Sequence, residues 1–119
     1  MRENIVKPKK SYFIMSAVYA LLTLLIATLL WSRPWLASIA LIVVSVLAWL
    51  QRKSQRELVM YIMCGIGGGI AETLAISGGA WSYAMPTFLG TPIWLVFVWG
   101  MAGIYVYRFS QIIEDFFQD

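Results

Sequence analysis

The chain has no histidine, a single cysteine (Cys64) and four prolines, and only 13% of its 119 residues are charged. Each shortage closes off a class of protein. Without histidine there is no Cys/His metal site, and one cysteine allows no intrachain disulfide. Soluble domains carry about a quarter charged residues. A chain this poor in charge, 61% hydrophobic and with a mean hydropathy of +0.75, belongs with bilayer proteins. The net charge of +3 is no nucleic-acid signal, because the cations sit at the ends of apolar segments, where membrane topology accounts for them. No motif calls for a cofactor or a metal.

What the chain does have is long apolar runs. Residues 12–31 form one of about 20 residues, which as a helix rises about 30 Å and crosses a hydrocarbon core. It is too long for a signal-peptide core and lacks a small-x-small cleavage site. Pro34 stops this helix and starts a second, shorter span over 35–50, with Trp31 and Trp35 suited to the membrane–water interface. A charged connector, residues 51–57, leads to a third span over 58–77. An uncharged segment rich in glycine and aromatics covers 78–92, and a fourth span covers 93–108, with Arg108 placed to snorkel at its end. The tail 109–119 has Ile112, Ile113, Phe116 and Phe117 at helical spacing opposite Glu114, Asp115 and Asp119. It either continues the fourth helix or lies as an amphipathic end in the interface.

The expected fold is therefore an all-α integral membrane protein, a single four-helix transmembrane domain over residues 1–119. Four spans put the basic segment 1–10, the connector and the tail on one side. That side holds Arg2, Lys7, Lys9, Lys10, Arg52, Lys53, Arg56 and Arg108, and the other side holds only Arg33. The positive-inside rule makes both termini cytoplasmic, in a multi-pass protein of the plasma (inner) membrane.

Chemistry is scarce. Glu72 is the one acid inside an apolar run, about five residues from the outer end of the third span. An ionised residue at bilayer depth costs on the order of 3 kcal/mol, so a lone acid there calls for a partner. One candidate is Arg33, in a structural ion pair joining the first hairpin to the third helix; others are the hydroxyls of Thr73, Ser77, Ser82 and Tyr83. With no cation near, desolvation favours the neutral acid, the form that a general acid or proton-coupled site uses. Gly65, Gly68 and Gly69 share a helix face with Glu72, and the small-x-x-x-small pattern suits close helix packing, within the chain or across a homo-oligomer or larger complex. The alternative is a groove for an elongated ligand beside Glu72. GIGGG is no phosphate loop, since no Lys-Ser/Thr follows it. The loop 78–92 folds back over the helix ends as a lid, or forms an interfacial aromatic belt.

The run Glu72, Gly79, Trp81-x-Tyr83, Gly90-x-Pro92-x-Trp94, Trp99 resembles the core of the membrane carotenoid-biosynthesis family that includes bacterioruberin-type hydratases. There a membrane glutamate precedes a glycine–aromatic–tyrosine turn, a Gly/Pro bend and an aromatic helix. The resemblance covers about a quarter of this chain, whose tyrosine turn departs from the family pattern; those proteins are longer, with more spans. It implies an isoprenoid-like substrate near Glu72. Three functions stay open. One is a site for a hydrophobic, lipid-like ligand, with Glu72 as acid/base or anchor and Trp81, Tyr83, Trp94 and Trp99 holding the ligand. A second is an accessory subunit of a membrane complex. The third is a small proton-coupled exporter, similar to the small multidrug-resistance transporters, although their acid lies on the first helix and their charge bias is weak.

Overall fold

A computed structural model describes residues 10–117 and is helical apart from two short connections and the longer loop 78–93. Helix α1 spans Lys10–Leu30, α2 Pro34–Leu50, α3 Gln55–Ser77 and α4 Trp94–Phe117. Three of them, α1, α3 and α4, are long and apolar enough to cross a membrane, and α2 is a shorter apolar helix. The segment 1–9 and the last two residues, Asp119 among them, lie outside the described residues, and with them Arg2, Lys7 and Lys9.

Local chemistry sets the helix ends. Pro34 opens α2 at its first turn, where its missing N–H costs nothing. Helix α3 begins three residues before the expected 58. Ser54 caps it, its hydroxyl accepting from the Glu57 backbone N–H at 3.3 Å, and so draws Gln55–Glu57 from connector into helix. At the other end Gly79 takes φ +84°, its N–H bonding the Ile76 carbonyl while the Ala80 N–H bonds that of Ala75. This crossed pair closes the helix in a Schellman motif. Helix α4 runs unbroken through the expected boundary at 108 to Phe117, so residues 109–117 are its last turns.

Packing follows the small residues. Helix α3 packs chiefly on α4, α4 also packs on α2 and α1, and α1 on α2. The core lies between α2 and α4 in two clusters, Ala37–Leu41–Trp94–Leu95 and Val44–Ala48–Met101–Ile104, covered by Tyr19, Ile26 and Leu30 of α1. Helices α3 and α4 close against each other through glycine on both sides. Gly68 lies under the Trp99 ring, Gly100 under the Tyr61 ring, and Gly103 against the Met60 carbonyl and Cys64. The Gly65–Gly68 face is thus occupied by α4 of the same chain.

The exterior carries apolar side chains along all four helices, among them Ile14, Leu24, Leu29, Ile39, Val59, Met63, Leu74 and Val106. Hydroxyls within the helices bond back to their own backbone. Ser16, Thr23, Thr28, Ser38, Ser45 and Thr73 each donate to the carbonyl four residues earlier, so none presents an unmet donor.

Candidate functional site

Glu72 lies on the side of α3 that meets α4, and the loop after α3 returns to it. Its Oε2 accepts from the Tyr83 hydroxyl at 2.8 Å and the Trp81 indole N–H at 3.0 Å; its Oε1 accepts from the Trp99 indole N–H at 3.3 Å. All three partners donate, and both carboxyl oxygens accept. The site is shallow: Glu72 and Tyr83 are half-buried, Trp81 is 49% exposed and Trp99 37%. Burial and the bond to Glu72 push the Tyr83 phenol up to about 12, so it stays protonated as a donor.

The sequence-predicted residues divide. Trp81, Tyr83 and Trp99 converge on Glu72; Trp94 does not. It is 7% exposed in the core against Ala37 and Leu41, and its buried indole N–H has no partner. The physical reason is the helical period. Five residues separate Trp94 from Trp99, a rotation of about 140°, so a helix that turns one toward α3 turns the other toward α2. The expected Arg33–Glu72 ion pair is not formed. Arg33 is exposed before α2, and the salt bridges among the described residues both belong to Glu57. Neutral N–H and O–H donors take the place expected for the guanidinium.

Beside this cluster, a groove of about 420 Å³ runs between Gly65, Gly69 and Thr73 of α3 and Val96 of α4. Its roof is the far end of the same loop. Phe88 and Thr91 pair across a tight turn in which Leu89 (φ +49°) and Gly90 (φ +81°) are both left-handed. The Thr87 hydroxyl accepts from the Ile93 N–H at 2.7 Å, tying the turn to the start of α4. Leucine is a costly residue at positive φ, yet Leu89 holds that conformation over the groove with Phe88 beside it. None of Glu72, Trp81, Tyr83 or Trp99 lines the groove. Glu72 and Thr73 are sequence neighbours, so their side chains leave the helix about 100° apart, one to the carboxylate cluster and one to the groove. Loop 78–93 is thus a strap pinned to Glu72 at one end and roofing the groove at the other.

A second polar cluster escaped the sequence reading. Arg108 does not snorkel; it is 2% exposed, and Glu57 is 0% exposed rather than solvated in a connector. The Arg108 Nε donates to Glu57 Oε2 at 3.0 Å and one terminal nitrogen to Oε1 at 2.8 Å. The remaining N–H groups reach the Ala48 carbonyl, the Gln51 amide oxygen and the Ser16 hydroxyl, each at 2.7 Å. Tyr12 donates to Glu57 at 2.7 Å and lies under the guanidinium, whose carbon is 4.6 Å from the ring centre. All five guanidinium donors are therefore used. Tyr12 and Ser16 on α1, Ala48 on α2, Glu57 on α3 and Arg108 on α4 are joined in one buried knot. Signals for it were present: Ser54-x-x-Glu57 is a capping-box pattern, and Tyr12 and Ser16 are four apart.

Among the described residues no group of three or more Cys, Asp or Glu side chains could hold a metal ion. No protein-family model, curated protein or solved structure matches the chain.

Proposed function

We propose that this is a multi-pass membrane protein, with both termini cytoplasmic, that binds a hydrophobic ligand, lipid- or isoprenoid-like, at the outer end of α3 and α4. The groove under Phe88 and Leu89 carries the reading. It is of ligand size, its walls are glycine and aliphatic side chains, and Thr73 and Thr91 are the hydroxyl residues on it. Glu72 serves it from the other side of the helix, because fixing Trp81 and Tyr83 fixes the strap that forms the roof. Membrane insertion is supported by the three long apolar helices, the apolar exterior and the gathering of basic residues on one side.

The test is a naturally fluorescent polyene fatty acid titrated into the detergent-solubilised protein. Wild type should enhance its emission. Ile66→Trp, at an exposed groove position, should abolish the enhancement without lowering the unfolding temperature. Equal enhancement in both proteins would reject the groove as the site.

A second reading, an accessory subunit of a larger membrane complex or a homo-oligomer, draws on α3. Its outer row Leu58, Val59, Ile62, Met63, Ile66 and Ile70 is exposed, since α3 packs chiefly on α4 alone. Purification in mild detergent with a stoichiometric partner would support this reading.

A further inference from the structure

We infer that Glu72, Trp81 and Trp99 form a binding site for an organic cation, a substituted ammonium group, separate from the apolar groove. The first observation is an acid with no cation beside it. Glu72 sits on a helix long and apolar enough to cross a membrane, yet its three partners are neutral donors and no cation of the described chain pairs with it. Neutral donors bring no positive charge, so an acid held by them alone leaves room for a cation as its partner.

The second observation is spare capacity on the open side. A carboxylate has about four acceptor positions. Oε2 uses two at short range, whereas Oε1 holds only the 3.3 Å contact to Trp99. The third is the ring surface around it. Trp81 and Trp99 stay 49% and 37% exposed beside the acid, and indole is the best of the aromatic faces for a cation. Trp99 cannot swing away easily, because its ring fills the space over Gly68. An anion framed by two half-exposed indoles matches a substituted ammonium in both charge and polarisability. A hard divalent ion fits poorly, since it asks for six or more oxygen ligands and Glu72 is the one acid here.

The ammonium could come from a lipid headgroup or a free amine, and the experiment separates the two. Choline and its neutral isostere 3,3-dimethylbutan-1-ol are titrated calorimetrically into the full chain in phosphatidylglycerol nanodiscs. Choline should bind at least tenfold more tightly than the alcohol, and Glu72→Gln, which keeps an acceptor oxygen, should erase that difference. Trp81→Ala, in the exposed loop, should weaken choline binding severalfold. Repeating the choline titration in phosphatidylcholine nanodiscs assigns the source. A weakened apparent affinity there identifies the lipid headgroup, and an unchanged one a free amine. Equal binding of choline and the alcohol, or a preference that survives both Glu72→Gln and Trp81→Ala, would overturn the inference and leave the groove reading standing.

Discussion

Two carboxylates of this chain illustrate opposite ways of holding an acid. Glu57 is sealed with a guanidinium and a phenol, whereas Glu72 is half open and held by neutral donors. Removing one partner of a sealed pair strands the other, so Arg108→Ala should cost about 3–5 kcal/mol in unfolding experiments in micelles. Arg108→Lys should recover little, because a lysine offers three donors where five are used. The paired change Glu57→Met with Arg108→Met should recover much of the loss, since it removes both charges together. At Glu72 the informative variable is pH. The Tyr83 phenol is raised from its ordinary 10.0 to about 12, so its contribution to stability is complete below pH 10 and is lost as pH rises toward 12. The gap in unfolding midpoint between wild type and Tyr83→Phe should stay constant up to pH 10 and then close. Sequence reasoning brought Trp81 and Tyr83 to Glu72 because an uncharged loop directly after a half-buried acid has few other places to go. It missed Glu57 because Gln51–Glu57 is polar throughout, and only packing against α1 and α4 takes Glu57 out of water.

The α3–α4 pair is close because each helix offers glycine to a bulky group of the other. A methyl at Gly103 would sit 2.7 Å from the Met60 carbonyl oxygen and 2.8 Å from Cys64, backbone and short side chain that cannot move aside. Gly103→Ala should therefore destabilise by about 1–3 kcal/mol. Gly67, with nothing within 4 Å, should tolerate alanine and gain up to about 1 kcal/mol of helix propensity. The same thermal unfolding assay reads both, and a reversed order would rule out intrachain packing as the reason for the glycines. The four helices were legible from apolar length and the proline and glycine stops. The rotation of α4 was not, since it is apolar around most of its surface, and that rotation decides that Trp94 is core while Trp99 meets Glu72.

For the whole molecule, orientation is the property on which the proposed outer site depends. In a Cys64→Ser background, Ser82→Cys should react with a membrane-impermeant maleimide on intact cells, and Lys53→Cys only after permeabilisation; both positions are exposed. The reverse pattern would place the groove and Glu72 on the cytoplasmic side.

The Arg108 knot also has a consequence in time. A ribosome delivers α1, α2 and α3 before α4, so Tyr12, Ser16, Gln51 and Glu57 all exist before the arginine that joins them. Until α4 docks, Glu57 has Arg52 at 4.0 Å but lacks the close, two-pronged Arg108 contact, and a chain interrupted before residue 108 would keep it so. The fourth described helix brings the residue that closes the knot, so closure of the bundle waits on α4.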